Sequence, residues 1–221
     1  MTYEILHQPS YAVARVMLQA GESILAESGA MMSMSPNINV ESKATGGIGK
    51  ALGRLLGGES IFQTTFTATQ APGEVLLAPT TPGDIIQLKI SGSMNVQSGS
   101  FLCCDPHIQM STKASGRSFF SGEGLFLLNL QGNGDALVNA FGAIVSYTLQ
   151  PGQQYIVDTG HLVAFSEGMG YEVRTVSKSL FGSMKSGEGF VVVLTGPGTI
   201  HLQTRTPVGF AGWIRGMIPS G

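Results

Sequence analysis

"SGEGLFLLNLQGNGDALV" (Ser121–Val138) is answered further along the chain by "SGEGFVVVLTGPGTIHLQ" (Ser186–Gln203), which keeps the same order of turn, apolar run, glycine turn and second run. A looser third copy, "GGESIFQTTFTATQAPGEVLLA", runs from Gly57 to Ala78. The Gly-Glu pairs that open the copies begin at Gly58, Gly122 and Gly187, spaced 64 and then 65 residues. A fixed period of this size is the mark of a repeated structural unit.

A second shared element precedes each copy: "LQAGESILAESGAMMSMSPNINVESK" (Leu18–Lys43), "KISGSMNVQSGSFLCCDPHIQMSTK" (Lys89–Lys113) and "LQPGQQYIVDTGHLVAFSEGMGYEVRTVSK" (Leu149–Lys178). Each has a strand, a glycine, a strand closing at another glycine, further apolar alternation and a Ser/Thr-Lys ending. The spacing predicts three units at about 12–78, 84–140 and 144–206, followed by a tail over 207–221, all in one domain. A unit of about 60 residues buries only some 60% of its unfolded surface, so one unit cannot hide its own apolar face and three must pack together.

Within the units, Ile156 and Asp158 alternate with Val157 and Thr159 as in a half-buried strand, whereas "FVVVL" (Phe190–Leu194) has the continuous apolar character of a strand covered on both faces. Glycines punctuate these runs where strand corners need them. The expected fold is all-β: stacked antiparallel sheets in three pseudo-symmetric lobes, of double-stranded β-helix or jelly-roll type. Two stretches depart from this. In residues 47–57, Ile48, Leu52, Leu55 and Leu56 fall at helical spacing and predict one short helix. In the tail, Phe210, Trp213, Ile214, Met217 and Ile218 fall at similar spacing and form a candidate interaction surface, for another subunit or for peripheral contact with a membrane.

The remaining composition narrows the class. An apolar fraction of 43% with 12% charged residues suits a folded core and not a disordered chain. Twelve Lys and Arg against 14 Asp and Glu give a net charge of −2 without a basic stripe, which argues against DNA binding. Cys103 and Cys104 are adjacent, point to opposite faces of a strand and are expected to stay unpaired. The N-terminal segment has no signal-peptide pattern and no stretch has 18 consecutive apolar residues, so a cytoplasmic location is expected.

Catalytic signatures fail on inspection. "GGIGKA" (Gly46–Ala51) approaches a phosphate loop, but Ala44 and Ala51 stand where a glycine and a magnesium-holding hydroxyl belong. There is no GxSxG, CxxC or HExxH. The "DTGH" stretch offers His161 with Asp158, Glu167 or His201 as a conceivable metal or small-molecule site, yet the paired HxH of cupin metal centres is missing. His161 therefore reads first as a hydrogen-bonded strand-corner residue, and no cofactor is expected. Glu59, Glu123 and Glu188 occupy one place in the three units. Around a pseudo-threefold axis they would gather a cation or a basic partner; their more ordinary roles are accepting backbone N–H bonds or pairing with the equivalent Lys43, Lys113 and Lys178.

The stretches "AESGAMMSMSPNI", "GGESIFQTTFTA", "VDTGHLVAF" and "SGEGFVVVLTGPGTIHLQTR", in this order over nearly the whole chain, resemble the altered inheritance of mitochondria protein 24 family, which has uncharacterised bacterial members. The resemblance implies a fold grouped with the trp RNA-binding attenuation protein-like superfamily and oligomeric assembly. It implies no enzyme activity, and it carries over no catalytic residue. Mitochondrial relatives are associated with inner-membrane organisation. The expectation is a non-catalytic scaffold or interaction protein that self-associates as a dimer, trimer or hexamer and holds an unidentified protein partner. The alternatives are a metal-binding or small-molecule enzyme near His161 and, more weakly, RNA binding, which the net charge disfavours.

Overall fold

The computed structural model describes residues 1–44, 62–114, 125–175 and 190–218. Nearly everything described is β-structure, arranged as several antiparallel sheets, and one α-helix follows. After the edge strand β1 (Thr2–Leu6) come β2 (Val13–Leu18), β3 (Ser23–Glu27), β4 (Met31–Met34), β5 (Ile38–Ala44), β6 (Phe62–Ala68) and β7 (Gly73–Leu77). The middle of the chain forms β8 (Ile85–Gln97), β9 (Phe101–Cys104), β10 (Gln109–Ala114) and β11 (Phe126–Asn139). The last strands are β12 (Ile144–Leu149), β13 (Gln154–Asp158), β14 (Leu162–Ser166), β15 (Gly170–Thr175), β16 (Phe190–Thr195) and β17 (Gly198–Gln203), and the helix is α1 (Pro207–Met217). The helix expected over 47–57 lies outside the described residues.

Strand registers recur along the chain. Ala44, Ala114 and Thr175 stand opposite Phe62, Phe126 and Phe190 in the pairs β5–β6, β10–β11 and β15–β16. Leu18 pairs with Gly73 and Leu149 with Gly198 in β2–β7 and β12–β17. An irregularity of one residue interrupts β4–β7 after Met31, β9–β11 at Leu137/Val138 and β14–β17 after Leu162. The long strand β8 pairs along its whole length with Leu127–Asn139 of β11, with Gly92 opposite Gly132 at mid-strand. Both glycines hold positive φ (101° and 142°), a conformation that a side chain disfavours and that lets a long ladder bend there.

Three hydrogen-bonded sheets result. One runs β1-β2-β7-β4 and another β13-β16-β15; the ten-stranded sheet runs β12-β17-β14-β8-β11-β9-β3-β6-β5, with β10 beside β11. Two junctions join strands far apart in sequence. β3 pairs with β9 (Leu25 opposite Cys104, Ala26 opposite Cys103), and β8 pairs with β14 (Asn95 opposite Phe165, Val96 opposite Ala164).

The apolar alternation of these strands feeds three core clusters. Val16, Leu18, Ile24, Phe66 and Leu77 form the first, completed from the middle strands by Leu102, Cys103 and Leu137. Val96, Phe101, Leu128 and Val138 form the second, completed by Val163 and Ala164. Phe165, Val192, Leu194 and Ile200 form the third, to which Leu125 and Leu127 contribute. Each cluster thus draws side chains from strands far apart in the sequence. Burying one Phe such as Phe66, Phe101 or Phe165 contributes roughly 2–3 kcal/mol. Val192, Val193 and Leu194 are buried in succession, so β16 is covered on both faces. The segments linking the sets cross at Gly83 and Gly142, where Asp84 N–H donates to the Gly142 carbonyl (2.9 Å) and Ala140 N–H to that of Asp84 (3.0 Å).

Candidate interaction surface

The residues with catalytic potential are held by protein partners. Asp158 ends β13 and its Oδ1 accepts from Gly160 N–H at 2.8 Å, capping the short 3-10 turn Thr159–His161. His161 Nδ1 lies 2.7 Å from the Gln203 carbonyl oxygen, and Gln203 Nε2 returns a bond to the Gly160 carbonyl at 2.7 Å. His161 is therefore a clasp between this turn and the end of β17. His201 sits inside β17, buried, with Nδ1 2.8 Å from Ser146 Oγ; burial holds its pKa below the usual histidine value. Glu167 lies in the turn after β14 and is exposed. Among the described residues, no three His, Cys, Asp or Glu side chains gather as a metal would need.

Cys103 and Cys104 are free and buried. Their faces do alternate, but β9 is flanked by β3 and β11 and packed on both sides, so both thiols lie in core. Burial, followed by the charge of Asp105, pushes Cys104 up to about 12, and burial drives Cys103 well above the ordinary thiol range. Such thiols are poor nucleophiles. Beside them the Tyr3 hydroxyl donates to Asp105, and burial, followed by that bond, raises the phenol pKa. Glu59, Glu123 and Glu188 lie outside the described residues, as does Lys178; Lys43 and Lys113 belong to β5 and β10.

The tail does form a helix. Thr206 caps α1 through Oγ1, which accepts from Gly209 N–H at 3.0 Å, and Pro207 takes the first helical position, where a missing N–H costs nothing. Phe210 anchors the helix: its ring meets Phe141 edge-on at 5.3 Å and stacks against Trp213 at 5.7 Å. No residue of α1 is buried, and Phe210, Trp213, Ile214, Met217 and Ile218 are all exposed, Trp213 by 59%. The structure therefore brings the five tail residues together on one capped, anchored and uncovered element. No helix among the described residues is long and apolar enough to cross a membrane.

A second apolar surface was not singled out in the sequence. Strand β4 reads MMSM and is exposed along its length, with Met31, Met32 and Met34 at 42%, 62% and 39%. Ile156 on β13 is 55% exposed. Among the described residues, both strands are sheet edges with a hydrogen-bonded neighbour on one side only. The alternation of Ile156 with Val157 signals a half-buried strand in sequence, but nothing local reveals which strands become edges.

Comparison with known proteins agrees with this architecture. The chain is 31% identical over 231 residues to an uncharacterized protein of Streptococcus pyogenes serotype M6, covering 100% of this chain and 92% of that protein. An X-ray crystal structure of a Streptococcus pyogenes protein superimposes with a TM-score of 0.81 at 28% identity, covering 98% of this chain and 99% of that one. A family model described as Mitochondrial biogenesis AIM24 matches residues 3–205, which takes in the described strands from β1, less its first residue, to β17. The chain belongs to the Mitochondrial biogenesis AIM24 family.

Proposed function

We propose that this protein is a non-catalytic scaffold of the cytoplasm: three copies of one module of short strands in a single domain that self-associates and presents apolar surfaces to protein partners. The observation that carries the reading is α1, whose Phe210, Trp213, Ile214, Met217 and Ile218 are exposed together on a helix capped at Thr206 and pinned at Phe141. Keeping such a face in water is unfavourable, and aromatic and methionine side chains are those enriched at interface centres. The module reading is supported by the recurring registers of β5–β6, β10–β11 and β15–β16. A role close to membranes would use the same α1 face lying in the interface plane.

Light scattering on the purified chain tests the proposal. The expected mass is a multiple of 23.1 kDa, and a single-chain mass at all concentrations refutes self-association. Removing residues 208–221 is expected to lower the mass or weaken assembly; an unchanged mass takes the helix out of the self-contact. Trp213, the single tryptophan, reports directly on α1. Its emission shifts to the blue on protein–protein docking without lipid, and a shift seen only with anionic phosphatidylserine vesicles assigns the face to membranes instead. Stoichiometric zinc, iron or manganese lost in His161→Ala would favour the metal-enzyme alternative, and a salt-sensitive RNA gel shift the nucleic-acid one.

A further inference from the structure

We infer that copies of this chain join head to tail through their sheet edges, β13 of one copy pairing antiparallel with β4 of the next, with Ile156 opposite Met34 and Val157 opposite Ser33. This rests on the reading of the chain as a self-associating scaffold of like modules and names the contact that reading leaves open.

The argument comes from a junction the fold makes twice. The β-bulge registers place β4, β9 and β14 at one position of the strand plan, with Met31, Phe101 and Leu162 in the same place. The pairings with β6, β11 and β16 place Glu27, Gln97 and Asp158 together at the end of the preceding strand. In these terms Leu25 opposite Cys104 and Asn95 opposite Phe165 are the same contact, as are Ala26 opposite Cys103 and Val96 opposite Ala164. One register is thus used at both internal junctions. Among the described residues, the strands left over are β4, which has no β3-like strand beside it, and β13, which has no β9-like strand beside it. They are the two halves of a third junction.

Burial points the same way. Phe101–Cys104 and Leu162–Phe165, which have partners on both sides, are each exposed by no more than 1%. Their counterpart Met31–Met34 carries three methionines exposed by 39–62%, and the facing strand exposes Ile156. An apolar edge with unpaired N–H and C=O groups is a template for another strand, and soluble proteins ordinarily blunt such edges with charge or proline. Neither MMSM nor QYIVD has a lysine or proline, and the one charged side chain in them, Asp158 at the end of β13, accepts from Gly160 N–H at 2.8 Å. Because the two surfaces differ, the contact is heterologous and closes into a ring when successive rotations return to the first copy.

Directed cross-linking tests this on the full chain. Met34→Cys and Ile156→Cys chains are co-expressed and oxidised; residues directly opposite in an antiparallel pair have Cα atoms about 4.5–5.5 Å apart, within disulfide range. The expected result is a disulfide-linked dimer from the mixture, and at most a trace when Met34→Cys is paired with Val145→Cys, whose site is exposed on β12. Cys103 and Cys104 are buried and give no background. Ile156→Lys, at a site already open to water, should leave the fold intact and bring the mass down to 23.1 kDa. An oligomer that shows neither the cross-link nor a mass change in Ile156→Lys overturns the edge contact and leaves the scaffold reading standing. A parent chain that is a monomer overturns both.

Discussion

Gly83→Ala should destabilise the whole fold by about 3–5 kcal/mol, because its site is where two linking segments touch. A Cβ built on Gly83 would lie 1.9 Å from the Ala140 carbonyl oxygen and 2.7 Å from Gly142 N, while real Cβ contacts under 3.0 Å are essentially unknown. The segments must therefore part by at least about 1.1 Å, and the obstacle is backbone, which has no rotamer to offer. Three hydrogen bonds span this crossing: Gly142 N–H to the Pro82 carbonyl (3.1 Å), Asp84 N–H to that of Gly142 (2.9 Å) and Ala140 N–H to that of Asp84 (3.0 Å). At about 1 kcal/mol net each, their loss accounts for about 3 kcal/mol, and the buried neighbours Ile85 and Ala140 lose packing in addition. In a chain of this size about 3 kcal/mol lowers Tm by roughly 6–12 °C. Differential scanning calorimetry beside urea titration measures both quantities. Gly212→Ala supplies the contrast: it lies within α1 with no heavy atom within 4 Å of the added carbon, and helix propensity predicts a gain of up to about 1 kcal/mol in local helix stability. A Gly83→Ala protein melting within about 2 °C of the parent would show that the crossing is not a tight joint and that the sets of strands are held by their sheets alone.

His201 gives a pH signature. Its folded pKa is depressed by burial, so the folded protein keeps the ring neutral while the unfolded chain takes up a proton below about pH 6.5. This part of the stability is fully present above that pH and declines as pH falls from it towards the folded value; urea titrations between pH 7.5 and 5 should show the loss, and His201→Asn should flatten it. If parent and variant have equal slopes, His201 is not the linked group. Both cysteines should resist an aromatic disulfide reagent in the native state at pH 7.5 and react fully in guanidinium, at least about 100-fold faster. Rapid native labelling of either thiol would contradict the packing of β9 between β3 and β11.

Much of the architecture is legible in the chain because its causes are local. Period-2 alternation marks strands such as β2 and β3, and glycines such as Gly21 and Gly152 mark positive-φ turns between strands. The tail is equally readable: Phe210, Trp213, Ile214 and Met217 at helical spacing predict α1 and its apolar face, which Phe141 then anchors. The chemistry of His161 is less so, since its partner is a backbone carbonyl at Gln203, brought to it only by the return of β17.

What tertiary structure alone decided is which strands are inside. "FLCC" and "MMSM" occupy the same place in the strand plan and both are apolar, yet one is sealed and the other open. The difference lies in whether a strand some 78 residues earlier in the chain arrives to cover the edge, as Leu25 does for Cys104. Backbone hydrogen bonds and burial at a sheet edge belong to the pair and not to either strand. For that reason composition and period determined the β-strand plan and the helical tail, whereas the uncovered faces of β4 and β13 follow from the order in which the strands were laid side by side.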